Sequence, residues 1–195
     1  MTTKQSLLKF LYPILKKFAS WGASGSGVLT NKDYVEPVSS FYKCSATLNS
    51  GASFHFDTLQ GKKVLIVNVA SNCGYTAQYA ELEELNQLYP GKLVILAFPG
   101  NDFSEQEPGN DKDIETFCKV NYGLTCLLFK KNPVVGPLQN EVFQWLTDRN
   151  KNGWNNQSPR WNFCKYLVDD NGVLQYYFAP YISPLGKEIS EALCM

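Results

Sequence analysis

Cys73 stands where the apolar run Val64–Ala70 gives way to Ser71-Asn72-Cys73-Gly74-Tyr75-Thr76 and then to a helical pattern. A thiol at the carboxyl end of a buried strand, just ahead of a helix amino terminus, meets unpaired N–H groups and the positive end of a helix dipole, both of which favour the anion. That matters because only the thiolate is a good nucleophile, and a free cysteine of pKa about 8.5 is mostly protonated near neutrality. The competing reading is a small apolar side chain that packs in a core, and location alone does not separate the two.

The other candidates for chemistry are few. The remaining cysteines lie at 44, 118, 126, 164 and 194, and no two of the six are closer than eight positions. Cys-x-x-Cys is therefore absent, which excludes a zinc knuckle and a thioredoxin-type dithiol. Six cysteines in 195 residues are also far fewer than a small secreted disulfide scaffold uses. A reducing compartment fits, and cytoplasmic is the expected location. The single histidine, His55, lies between Phe54 and Phe56 and reads as structural, so histidine triads and multi-histidine metal sites are not expected. No cofactor or metal is expected. Eighteen basic residues balance eighteen acidic ones, so no global field steers the chain to nucleic acid.

The elements that must position Cys73 read as one compact α/β domain over residues 40–195, behind an extension over 1–39. In the extension Leu7, Leu8, Leu11, Ile14, Leu15 and Phe18 recur at helical spacing among Lys4, Lys9, Lys16 and Lys17, ahead of a flexible Gly22–Gly27 stretch. Lys9 and Pro13 break the apolar run, so it can neither span a bilayer nor serve well as a secretory signal. A short basic amphipathic helix on a membrane surface, docking onto the protein's own body, and disorder all stay open.

In the domain, Phe41–Leu48 and Ser53–Phe56 read as a β-hairpin about Asn49-Ser50-Gly51. Val64–Ala70 and Leu93–Phe98 are continuous apolar runs, the pattern of parallel strands covered on both faces. Between them Tyr79, Leu82, Leu85 and Leu88 mark one helix face, with Glu81, Glu83 and Glu84 on or near the other side. Asp111–Asn121 reads as a second helix stopped by Gly123, Cys126–Phe129 as a short strand, and Pro137–Asp148 as a third helix with proline at its start. Lys165–Val168 and Val173–Phe178 flank the turn Asp169-Asp170-Asn171-Gly172, and the tail from Ser183 is helical. A mixed central sheet flanked by helices is the economical architecture.

Three segments in order carry more: Val67–Thr76 around Cys73, Phe98–Gly109, and Trp161-Asn162-Phe163 opening a strand. Together they resemble the glutathione peroxidase family, from about Ser40 to the carboxyl terminus. The resemblance implies a thioredoxin-like fold and a cysteine or selenocysteine that reduces hydroperoxides, here Cys73. Hydrogen donors about the sulfur come in the family from a tryptophan and an asparagine, matched by Trp161 and Asn162, and from a glutamine whose place Asp102 takes. An ionised carboxylate accepts but does not donate. Either Asp102 turns away, or it is protonated, or it shuttles a proton to the leaving oxygen, and a Cys73 less acidic than the family pattern implies is expected. Relatives that use thioredoxin carry a resolving cysteine in a context matched by Phe117-Cys118-Lys-Val-Asn-Tyr-Gly123. By the same resemblance Cys118 would condense with a Cys73 sulfenic acid, and a thioredoxin-like protein, or else glutathione, would recycle the pair.

Two other departures concern Gly100, where the family has a cysteine, and Cys126-Leu127, where it has Phe-Pro. With only Arg149 and Arg160 in the chain, an arginine cluster for the carboxylates of glutathione is not expected. The stretch from Pro137 to Trp161 lacks the insertion that tetrameric relatives use, so a monomer or small dimer is expected. A redox relay passing its disulfide to a partner protein would use the same residues.

Overall fold

The computed structural model describes residues 27–194 and, ahead of them, residues 3, 6, 7 and 10–12. The helical reading at Leu8, Ile14, Leu15 and Phe18, and the stretch 22–26, lie outside the described residues; residues 10–12 are helical.

The chain forms β1 (Val28–Thr30), a 3-10 turn at Phe41–Lys43, β2 (Ser45–Thr47) and β3 (Ser53–His55). These are followed by β4 (Lys63–Val69), α1 (Gln78–Leu88), β5 (Leu93–Pro99), α2 (Asp111–Tyr122), β6 (Leu127–Leu128), α3 (Glu141–Leu146) and α4 (Arg149–Asn152). The chain closes with β7 (Lys165–Val168), β8 (Leu174–Phe178) and α5 (Lys187–Cys194). The central sheet runs β1-β8-β7-β4-β5-β6, with β4, β5 and β6 parallel and the β4–β7, β7–β8 and β8–β1 pairs antiparallel. β2 and β3 form a separate hairpin in the expected place.

β4 is the centre of the molecule because every residue after Lys63 is buried: Val64, Leu65, Ile66, Val67, Asn68 and Val69 are all at 0% exposure. Each apolar side chain among them contributes about 1.5–3 kcal/mol on burial, so the strand that leads into Cys73 is among the hardest parts of the fold to move.

The structure differs from the sequence reading in several places, each for a local reason. Val28–Thr30, read as extension, pairs with Tyr176–Phe178 and adds an edge strand to the sheet. Phe41–Lys43 is a 3-10 turn because the Ser40 hydroxyl caps the Tyr42 N–H. The third helix begins at Glu141 because the Asn140 side chain captures the Phe143 N–H, leaving Pro137 in the preceding loop. It also ends early, at Leu146, and Asp148 caps the short α4. Glu83 is buried, and its carboxylate accepts from the Thr125 N–H and hydroxyl, both at 2.7 Å, while Leu88 is exposed.

Candidate active site

The loop from Ala70 to Ala77 holds Cys73 through one side chain. Thr76 Oγ1 donates to the Ala70 carbonyl at 2.9 Å and accepts the Cys73 N–H at 3.0 Å, so the turn closes on itself. α1 begins at Gln78, five positions after Cys73, with no side-chain cap. The donors at the sulfur are therefore the loop's own amides: the Tyr75 N–H points to Sγ at 3.4 Å, and the Gly74 N–H also lowers the thiol.

Trp161 and Asn162 act on the same thiol, and both lower it. They are held there by Asn68 of β4. Its Nδ2 donates to the Trp161 carbonyl at 3.0 Å, its Oδ1 accepts the Cys164 N–H at 3.0 Å, and its backbone carbonyl takes the Phe163 N–H. Phe163 sits at φ +67°, a conformation that costs a bulky residue about 1–3 kcal/mol. The bonds to Asn68 and an edge contact with Tyr79 (5.4 Å between ring centroids) fix that kink, which turns the chain from the donor pair into β7.

Burial is the largest influence on Cys73, which is at 0% exposure, and it pushes the thiol above its ordinary value. Tyr75 N–H, Trp161, Asn162 and Gly74 N–H pull the other way without cancelling it. The resting sulfur is thus a thiol in a site whose donors suit the anion, a less acidic cysteine than its position in sequence suggests. The cause is desolvation rather than Asp102.

The structure does not bring Asp102 to the sulfur. Its Oδ2 accepts the Val134 N–H at 3.0 Å, the residue is exposed, and it is absent from the leading influences on Cys73. A Cβ at position 100 would lie 3.0 Å from that oxygen and 3.2 Å from Val134 Cγ2, so Gly100 leaves the space in which Asp102 turns away. The two departures from the family pattern lie against each other.

Cys118 is also not at the site. It is 1% exposed on α2, an intact helix between the Asn110/Asp113 capping box and Gly123, which caps it at φ +61°. Burial pushes its thiol up to about 12, the Tyr79 hydroxyl lowers it, and Glu107 raises it. All six cysteines are free in this structure.

Sequence reasoning missed Asn68, Thr76, Gln106 and Glu107, although all four lie within the quoted motifs. Gln106 Oε1 accepts from Asn162 Nδ2 at 3.0 Å. Glu107, 1% exposed, accepts from the Ser71 hydroxyl at 2.9 Å and ties the Cys73 loop to the segment that leads into α2. Desolvation pushes Glu107 up to about 7, against Ser71 and Lys131, which lower it. A carboxyl raised in the folded state stabilises fully below its unfolded value and loses that contribution as pH rises through about 7. Glu107→Gln is therefore expected to raise the melting temperature by several degrees at pH 8, on the order of 3 kcal/mol, and to change it little at pH 4. Equal shifts at both pH values in thermal melts would refute this.

Among the described residues no group of three or more His, Cys, Asp or Glu could hold a metal ion. The sequence profile of the family described as Glutathione peroxidase matches residues 41–147, more than half of the chain. The chain belongs to the glutathione peroxidase family. It is 45% identical over 159 residues to the glutathione peroxidase-like peroxiredoxin 2 of Saccharomyces cerevisiae, covering 80% of this chain and 98% of the yeast protein. Identity to the glutathione peroxidase-like peroxiredoxin GPX5 of Chlamydomonas reinhardtii is 45% over 156 residues, or 78% and 96% of the two chains. Among solved structures, T. cruzi GPX1 matches with a TM-score of 0.61 at 25% identity, over 80% of this chain and 94% of that one. As a glutathione peroxidase family member the protein is a peroxidase oxidoreductase, and its mixed sheet flanked by helices is the thioredoxin-like fold.

Proposed function

We propose that this protein reduces hydrogen peroxide or organic hydroperoxides at Cys73, resolves the product with Cys118, and is recycled by a dithiol protein of thioredoxin type. The observation that carries the proposal is the enclosed Cys73 sulfur, which takes the Tyr75 N–H at 3.4 Å and whose thiol is lowered by Trp161, Asn162 and the Gly74 N–H. As the sulfur attacks, its lone pair forms an S–O bond, the O–O bond breaks, and the departing alkoxide takes the thiol proton. Cys73 is oxidised by two electrons to the sulfenic acid and the peroxide is reduced to alcohol or water. The Cys118 sulfur then displaces hydroxide, which leaves as water with the Cys118 proton, and a disulfide forms.

Arg149 and Arg160 are both exposed, and Arg160 is engaged with Gln157 Oε1 at 3.2 Å, which offers glutathione carboxylates no paired guanidinium cleft. Steady-state peroxide consumption with thioredoxin and its reductase is expected to exceed that with millimolar glutathione by about tenfold or more. Equal or faster turnover with glutathione would reject the dithiol reading.

The amino-terminal segment supports a weak contact with an anionic membrane surface. Five lysines and no acidic residue precede Asp33, and Leu7 and Phe10 are exposed while Tyr12 is buried against Tyr75. Because β1 belongs to the sheet, the test is Phe10→Glu in the full chain rather than a truncation. The variant should lose flotation with phosphatidylserine vesicles, and partitioning equal to the unaltered protein would end the idea.

A further inference from the structure

Asn162 is fully buried, its Nδ2 donates to Gln106 Oε1 at 3.0 Å, and its amide lowers the Cys73 thiol. Its carbonyl Oδ1, equally buried, has no hydrogen-bond partner among the described residues. Leaving such a carbonyl unpaired is unfavourable, so a donor arriving at this point would be bound by it. The obvious donor is a hydroperoxide, whose one O–H sits on the oxygen that a sulfur nucleophile attacks.

Gln106 is brought to this position by a loop under strain. Ser104 and Glu105 are both left-handed, at φ +51°, and the turn they make returns the Gln106 N–H to the Phe103 carbonyl at 3.2 Å. The Gln106 carbonyl then takes the Asn72 N–H at 3.0 Å, fastening the loop to the residue before Cys73. With Asp102 turned to Val134, Gln106 is the amide that reaches the catalytic asparagine.

Deepening the peroxidase reading, on which it rests, we propose that Gln106 is a positioning residue: it fixes the Asn162 amide with Nδ2 toward the Cys73 sulfur and leaves Oδ1 to accept the O–H of a bound hydroperoxide. One side chain thereby holds both reactants. The sulfur is held through the amide nitrogen and the oxygen under attack through the amide oxygen, and without Gln106 the amide is free to turn and present its oxygen to the sulfur.

Two variants separate positioning from mere packing. Gln106→Leu cannot accept from Nδ2, whereas Gln106→Glu can. Rates of Cys73 thiol loss with hydrogen peroxide, measured across pH and normalised to the thiolate fraction, should fall about tenfold in Gln106→Leu and stay within about twofold of wild type in Gln106→Glu. Equal losses in both variants would overturn the proposal. A second measurement needs no turnover and no change at 106. In Cys73→Ser protein, tert-butyl hydroperoxide should shift the side-chain amide resonances of Asn162, and di-tert-butyl peroxide, which has no O–H, should leave them in place. Equal shifts from both peroxides, or none from either, would remove Oδ1 as the acceptor. Should wild-type Cys73 still react with peroxide in that event, this inference fails and the peroxidase reading stands.

Discussion

Replacing Cys73 with serine is expected to lower peroxide turnover by about 10³-fold or more while leaving the fold in place. The size of the loss follows from the chemistry. A serine alkoxide is not accessible near neutrality, and oxygen does not form an acid equivalent to sulfenic acid. The fold should survive because the substitution keeps a small side chain at a site that already offers hydrogen donors from Tyr75 N–H, Gly74 N–H, Trp161 and Asn162. Thermal melts should move by about 1 kcal/mol or less. Turnover near wild type in the variant would mean that another thiol reacts, and the account given for Cys73 would be lost.

Cys118→Ser is expected to separate the two halves of the cycle. The first equivalent of peroxide should be consumed at the wild-type rate, and thioredoxin-dependent turnover should fall by about 10²-fold or more. Within α2 burial pushes the Cys118 thiol up to about 12, so at pH 7 about one molecule in 10⁵ carries it as thiolate. Freed into solvent, an ordinary cysteine of pKa about 8.5 would be ionised at the level of a few per cent, a gain of roughly 10³. Helix opening therefore supplies reactivity as well as reach, since disulfide geometry needs the Cα atoms within about 7 Å. Opening must give up the Gly123 cap and the contacts of Phe117 and Tyr122 with Tyr79, at ring separations of 6.2 and 5.4 Å. Each is worth about 1 kcal/mol, a cost that local unfolding commonly meets. In the variant the Cys73 sulfenic acid should persist and progress to sulfinic acid with excess peroxide. Undiminished turnover with the dithiol system would assign resolution to a different cysteine or to the reductant itself.

The parts of the fold that were legible in sequence are those decided locally. β4 and β5 announce themselves as unbroken apolar runs, and Gly123 and the 169–172 turn as local stops. What escaped was decided at a distance. Val28–Thr30 becomes a strand because β8 offers it an edge some 150 residues later, and Glu83 is buried because Thr125 needs an acceptor. At the site, Cys73 was marked by its place between strand and helix, and Trp161 and Asn162 only by their match to the family motif. The direction of Asp102 was not, because Val134 and the missing side chain of Gly100 set it. Nor was the part played by Gln106 and Asn68, whose partners lie 56 and 93 positions along the chain. The helix dipole expected to favour a thiolate is replaced by two loop amides, and desolvation outweighs them.

The most direct test is to give fully reduced wild-type protein one equivalent of hydrogen peroxide, digest it without reductant, and identify the linked peptides by mass. A single bridge joining Cys73 to Cys118 is the expected product. A bridge that leaves Cys73 unmodified, or oxidation confined to Cys126, Cys164 or Cys194, would contradict the assignment of Cys73 as the sulfur that meets peroxide.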